Sequence, residues 1–305
     1  MTMAGSAARH GMAGAKAESG GGARSDRANE YDLSDKDFRT IAAIIYDDAG
    51  IVLKPLKMAL VYSRLARRVR ALGLAGFGDY CNLVSSDAGH PERREMLAAL
   101  TTNVTNFFRE NHHFEHMRDV TLPPLLEAAR QGGRVRFWSA GCSNGHEPYS
   151  IAMTILSLMP DANKYDIKIL ASDIDPYVVA FGRAGIYDAA AVEPIPMALR
   201  KRWFVSHEGG AHYKVVAEMQ NLVSFRELNL IGQWPMTGVF QAIFCRNVLI
   251  YFDEATRETV WHRFCDYLDP AGFLYVGHSE RVSGAASLRL ATEASTTYRL
   301  RGEAR

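Results

Sequence analysis

Cysteine is scarce in this sequence. Cys81, Cys142, Cys245 and Cys265 are the whole complement in 305 residues, and no two stand at metal-ligand spacing, which argues against a disulfide framework and a cysteine metal cluster. Buried apolar thiols in a reducing compartment, without metal, are expected instead. Long apolar runs are missing too. None approaches the roughly 18 residues needed to span a bilayer, and the start has no apolar signal block. A cytoplasmic protein without direct membrane insertion is therefore expected. Charge of one sign is not in excess: 35 Lys and Arg face 34 Asp and Glu, for a net charge of +1. That balance gives no global attraction to nucleic acid or to an acidic membrane. Large apolar side chains are nearly absent from residues 1–30, where Ala, Gly and Ser dominate, so this segment is expected to be a disordered tail.

What remains is a chain with 48% hydrophobic residues, enough for one large core or two modest ones. From Leu33 the pattern is helical. Ser34 can cap a helix whose Phe38, Ile41, Ala42 and Ile45 share one face, and Gly50 ends it. A second helix after Pro55 carries the stripe Met58, Val61, Leu65, Val69 and Leu72. Its other face holds Lys54, Lys57, Arg64, Arg67, Arg68 and Arg70, with no acid among them in the local sequence. Helical stretches at Phe77 to Ser85 and Pro91 to Leu100 complete a bundle assigned to residues 31–105.

Beyond Gly132-Gly133 strands alternate with helices. Val135 to Ser139, Ile167 to Ala171, Ala242 to Cys245 and Gly272 to Val276 read as buried strands. Glu147 to Leu158, Pro176 to Arg183 and Glu254 to Leu268 read as the intervening helices. The pattern predicts an α/β domain, doubly wound around a mainly parallel sheet, over residues 106–305. His212 to Val216 and Leu222 to Phe225 read as a small antiparallel subdomain near residues 205–228.

In such a sheet a ligand sits at the carboxyl ends of the strands. After the first strand comes Ser139-Ala140-Gly141-Cys142-Ser143-Asn144-Gly145-His146-Glu147, whose small residues allow close backbone approach. The second strand ends at Asp173, where a carboxylate can accept from two ribose hydroxyls, while Asp175 suits a cap of the next helix. A glycine loop and this acid fit NAD as well as S-adenosylmethionine. Glu147 at the helix start would repel a pyrophosphate, whereas a methionine tail offers an ammonium for Glu147 and a carboxylate for Arg109. Methyl transfer is favoured over hydride transfer on that ground.

Five segments then carry a resemblance. They are Thr102 to Glu110, Gly145-His146-Glu147-Pro148-Tyr149-Ser150, Ala171-Ser172-Asp173-Ile174-Asp175, Ile243 to Phe252 and Gly277-His278-Ser279-Glu280. In this order and at these intervals they resemble the CheR family of chemotaxis receptor methyltransferases, from about Leu33 to Leu300. The resemblance implies a Rossmann-like class I methyltransferase domain with a helical N-terminal receptor-recognition domain. It also implies methyl transfer from S-adenosyl-L-methionine to glutamates of chemoreceptor cytoplasmic helices, giving glutamyl methyl esters and S-adenosyl-L-homocysteine; a monomer is the default expectation. Residue by residue it assigns cofactor contacts to Asn103, Thr105, Arg109, Gly141, Glu147, Asp173, Asn229, Leu230, Arg246 and Asn247. Tyr251, with Arg246, is the catalytic candidate that orients the substrate carboxylate. A glutamate with a reference pKa of about 4.3 is already ionised and needs no base.

Lys57, Arg64, Arg67 and Arg68 are the candidates for docking an acidic receptor segment. One departure from the family pattern is His146, where a second acid is common; it reads as a solvent-facing exchange. His112, His113 and His278 read as packing or hydrogen-bonding groups. The short Ser206 to Ala211 connection argues against tethering of a receptor peptide. A cofactor-binding scaffold without turnover and a nucleic-acid methyltransferase are the competing readings, the second disfavoured because Tyr62 is the only aromatic on the basic helix.

Overall fold

The computed structural model describes residues 30–301. The tail assigned to residues 1–30 lies, up to residue 29, outside the described residues. The first helices form as the sequence dictates. Helix α1 (Asp35–Ala49) starts in a capping box in which Asp37 N–H donates to Ser34 Oγ at 3.1 Å and Ser34 N–H donates to Asp37 at 3.3 Å. Gly50, at φ 71°, closes it. Helices α2 (Met58–Ala71), α3 (Phe77–Ser85) and α4 (His90–Leu100) pack on it around a core of Phe38, Ile41, Ile45, Val61, Leu65, Val69, Phe77 and Tyr80. Leu72, the last residue of the expected stripe, is instead exposed, because α2 has already ended at Ala71.

The basic face of α2 is not as unpartnered as its local sequence suggests. Arg68 grips the buried Glu92 of α4 with two hydrogen bonds, at 3.0 and 2.6 Å, and reaches Glu95 at 3.2 Å. Arg70 pairs with Glu30. Arg64 donates to the carbonyls of Ala99, Leu100 and Thr101, covering the free end of α4. Lys57 and Arg67 are exposed.

A linker leads through α5 (His112–His116) and α6 (Leu122–Arg130) into the sheet domain. Strands β1 (Val135–Ala140) and β2 (Ile167–Asp173) are joined by α7 (His146–Leu158). Helix α8 (Pro176–Ala184) follows, then β3 (Ile186–Asp188), α9 (Ala189–Val192), α10 (Met197–Trp203), β4 (Phe204–His207), β5 (His212–Val215), α11 (Ala217–Gln220) and β6 (Val223–Glu227). The chain ends with β7 (Phe240–Cys245), α12 (Glu254–Tyr267), β8 (Leu268–Val276), α13 (Ala286–Arg289), β9 (Leu290–Ala294) and β10 (Thr297–Leu300).

The large sheet has the order β6-β2-β1-β7-β8-β10-β9. Strands β6, β2, β1, β7 and β8 run parallel, and β10 lies antiparallel to β8 and β9. Alternating residues feed two cores. Phe137, Ala242 and Phe244 face the core containing α7, and Trp138, Ile243 and Cys245 face the one containing α12. This is the doubly wound, mainly parallel α/β architecture that the sequence pattern predicts.

The small subdomain differs from the expectation. Its sheet is β3-β5-β4, spanning residues 186–215 rather than 205–228. Leu222 to Phe225 does not belong to it, because β6 pairs in parallel with β2 as the edge of the large sheet. A short apolar run bounded by turns reads alike in either setting, and only its partner strand separates the two.

Candidate functional site

The strand order reverses at β1, with β2 and β6 on one side and β7 and β8 on the other. A cavity opens at the carboxyl ends of these strands, as expected for a switch point. The helical domain completes its wall. Val52 N–H donates to Tyr251 C=O at 2.9 Å, and Ile51 pairs with Phe252 as an isolated antiparallel bridge.

All the residues assigned above to cofactor contacts line this one cavity: Asn103, Thr105, Arg109, Gly141, Glu147, Asp173, Asn229, Leu230, Arg246 and Asn247, together with Tyr251 and Lys57. Arg64, Arg67 and Arg68 do not border it. The linker is fixed to the cavity through Asp175, whose Oδ2 accepts from Thr101 at 3.1 Å and from Asn103 Nδ2 at 2.9 Å. Its Oδ1 caps α8 by accepting from Tyr177 N–H at 2.9 Å, as its position before Pro176 predicts. Ser143 Oγ donates to Asn103 C=O at 3.0 Å.

The loop after β1 needs a glycine at its first position. Gly141 sits at φ 82°, and a Cβ there would lie 2.3 Å from Val248 Cγ2. Ser143 (47°) and Asn247 (60°), which line the cavity, also have positive φ, as do Phe108 (54°) and Glu110 (55°) on either side of the lining residue Arg109. Backbone strain thus gathers where the surrounding structure must hold functional groups in place.

Electrostatics divide the site. Asp173 Oδ2 accepts from Ser143 N–H at 2.8 Å and its Oδ1 from Asp175 N–H at 3.0 Å. Burial outweighs these bonds and raises its carboxyl to about 6. Glu147 accepts from Ser139 Oγ at 2.6 Å and pairs with Arg246 Nη1 at 3.2 Å. Burial pushes its carboxyl upward and the guanidinium pulls it back. Arg246, only 3% exposed in its side chain, lies between Glu147 and Glu110, the latter at 3.4 Å, and also donates to Arg109 C=O. Its Nε is buried without a hydrogen-bond partner among the described residues. Glu110 in turn meets His278 Nδ1 at 2.9 Å. Burial acts to raise the Glu110 carboxyl, but the His278 bond and the Arg246 charge together hold it down at about 2.

Two expectations about side chains need revision. His146 is not solvent-facing: it is 7% exposed and packs against Phe107 in a tilted arrangement and against Tyr187 edge-on, with ring centroids 4.6 and 4.8 Å away. Burial lowers its pKa to about 4, so it is a neutral aromatic spacer behind the site. Arg64 and Arg68, expected to greet a partner, are engaged within the helical domain. His113 is fully buried, and its Nε2 lies 2.8 Å from Thr296 Oγ1, a packing and bonding role. Asn229 lines the cavity while its amide is committed elsewhere, donating to Asp48 C=O at 2.7 Å and accepting from Ile231 N–H at 3.1 Å.

Residue-level reading missed Glu280 as a supporting group. Its buried carboxylate accepts from the N–H groups of Asn247, Val248, Leu249 and Gly277 at 2.7, 3.1, 2.8 and 2.7 Å. It thereby fixes the turn that carries Asn247 and leads to Tyr251. The Gly-His-Ser-Glu motif was the only signal, and nothing in it says that the acceptor serves backbone some thirty residues upstream.

The cavity therefore presents carboxylates at the start of α7 and the end of β2, a linker cation, and a glycine floor that a Cβ would fill. These features suit a ligand carrying both a diol and a zwitterion. Comparison with known proteins agrees. Residues 36–101 match the family described as CheR methyltransferase, all-alpha domain, and residues 103–298 match CheR methyltransferase, SAM binding domain. The chain is similar to a probable chemotaxis protein methyltransferase of Rhizobium etli, 56% identical and covering 84% of this chain and 96% of that one. It is similar also to the chemotaxis protein methyltransferase of Escherichia coli, 44% identical and covering 82% and 86%. A sheet order, a cavity and two adjoining family matches lead to one conclusion: the chain belongs to the CheR methyltransferase family.

Proposed function

We infer that this protein transfers methyl from S-adenosylmethionine to glutamate side chains of chemoreceptors, forming glutamyl methyl esters and releasing S-adenosylhomocysteine. The observation that carries the reading is the meeting of Glu147, Asp173, Arg109 and Tyr251, from four separate segments, around one cavity. Asp173 is suited to accept from ribose hydroxyls, Glu147 to hold an ammonium and Arg109 to hold a carboxylate. Asn103, Thr105, Asn229, Leu230 and Asn247 border the remaining walls. Bound there, S-adenosylmethionine supplies an electrophilic methyl on a sulfonium.

The substrate glutamate is itself the nucleophile. The protein's work is to orient its carboxylate and remove water from it. The Tyr251 hydroxyl is the group we assign to orientation. Arg246 is spent on Glu147 and Glu110, so its part is to position Glu147 rather than to grasp substrate. Residues 31–105 form the receptor-recognition unit, with Lys57 and Arg67, exposed and without an ion pair among the described residues, as cations for an acidic segment.

The test is methylation of a purified chemoreceptor cytoplasmic fragment with methyl-labelled cofactor, scored as base-labile label. Tyr251→Phe should cut turnover by about tenfold or more with S-adenosylhomocysteine affinity unchanged. Label on RNA but not receptor would defeat the substrate assignment. Full turnover by Tyr251→Phe would defeat the tyrosine role.

A further inference from the structure

Three aliphatic side chains from separate parts of the chain line the cavity while remaining open to solvent. Val52 follows α1, Val104 lies in the interdomain linker and Ile250 lies in the turn after β7. Each lines the cavity, yet they remain 36%, 79% and 44% exposed. A side chain that both lines a cavity and meets solvent stands at its mouth. The Val52–Tyr251 hydrogen bond ties the first and third segments together, so this arrangement is built rather than incidental. Scattered exposed aliphatics are ordinary, but convergence on one opening is a mark of a contact surface. Lys57, also exposed, lines the same mouth. Unlike Arg68 and Arg70, neither Lys57 nor Lys54 forms an ion pair among the described residues.

We propose that Val52, Val104 and Ile250 form a rim that selects the substrate by an aliphatic side chain flanking the target glutamate on an amphipathic helix, with Lys54 and Lys57 receiving acids of that helix. This rests on the methyl-transfer reading above. Charge complementarity commits the rim to an acidic segment, since it is bordered by ammonium groups that form no ion pair among the described residues; its helical form follows from the chemoreceptor reading. The rim also has a chemical use. An attacking carboxylate must lose water, and a helix seated on aliphatic side chains seals the opening around it.

The experiment compares wild type with Val104→Glu, Ile250→Glu and Val104→Leu. Kinetics use a chemoreceptor cytoplasmic fragment, and calorimetry measures S-adenosylhomocysteine binding. Each Glu variant should lower kcat/KM for the fragment by about tenfold or more, mainly through KM, as expected for losing one buried aliphatic contact. Val104→Leu should behave like wild type, and S-adenosylhomocysteine affinity should change less than about twofold in all three. Replacing the aliphatic neighbour of the methylated glutamate by Asp should penalise wild type as much as the rim variants do. Unchanged kinetics in folded Glu variants, or a parallel loss of S-adenosylhomocysteine affinity, would overturn the rim. Failure of wild type to methylate any fragment would instead overturn the underlying reading, and the rim with it.

Discussion

Replacement of Glu280 by Ala should be one of the most damaging single changes outside the ligand-binding side chains. Glu280 is 4% exposed, and its carboxylate serves four backbone N–H groups at 2.7 to 3.1 Å. Truncation leaves those donors without a protein acceptor. Taking about 1 kcal/mol for each, the low end because water can enter the vacated space, gives about 4 kcal/mol of lost stability. For a sheet domain of about 200 residues that is a fall of roughly 8–16 °C in its melting temperature. Glu280→Gln should cost about half as much, since one amide oxygen still accepts while the NH₂ opposes the remaining donors. The damage should extend to function, because Asn247 holds φ 60° only while the turn is clasped. Urea unfolding followed by tryptophan fluorescence, with calorimetric titration of S-adenosylhomocysteine in parallel, measures both effects. A stability loss below about 1 kcal/mol with unchanged affinity would refute the clasp.

Other consequences follow from the same geometry. Asp173, raised to about 6, is ionised at pH 7.5 and protonates as the pH falls through that value, so S-adenosylhomocysteine affinity should weaken towards pH 5. Asp173→Asn should abolish the dependence, and a flat wild-type profile by calorimetry would count against this role. Stability has the opposite sign. A folded value above the unfolded one gives a contribution that is full below the unfolded value and lost as the pH rises through about 6, so the ligand-free protein gains on acidification in that window. Arg68→Ala should destabilise by about 3 kcal/mol in chemical denaturation, because Glu92 is left buried without its cation. Arg67→Glu should instead raise the Michaelis constant for receptor at unchanged melting temperature; the reverse pattern would return Arg68 to the docking face. Gly141→Ala should reduce S-adenosylhomocysteine affinity by about tenfold or more, since its Cβ would meet Val248 in a backbone region hostile to side chains. Retained affinity would show that the loop has room to yield.

The sequence by itself determined the elements and their class. Period and caps suffice for α1, where Ser34, Asp37 and Gly50 act within one helix, and for α8, where Asp175 precedes Pro176. Asp173 and Glu147 were legible because a strand end and a helix start have fixed places in a parallel sheet. Hydrogen bonds and ion pairs across long chain separations were not legible. The sequence shows Arg64 and Arg68 as unpaired cations, and only the packing of α2 on α4 gives them acceptors. It shows Leu222 to Phe225 as a short apolar run, and only its register with β2 makes it a strand of the large sheet. His146 is burial's decision, made by Phe107 and Tyr187 from elsewhere in the chain. The clasp of Glu280 and the rim of Val52, Val104 and Ile250 have the same origin. Local sequence sets which conformation and which face a residue prefers, but the partner that satisfies a buried charge or covers an aliphatic group comes from distant chain and exists only once the fold has closed.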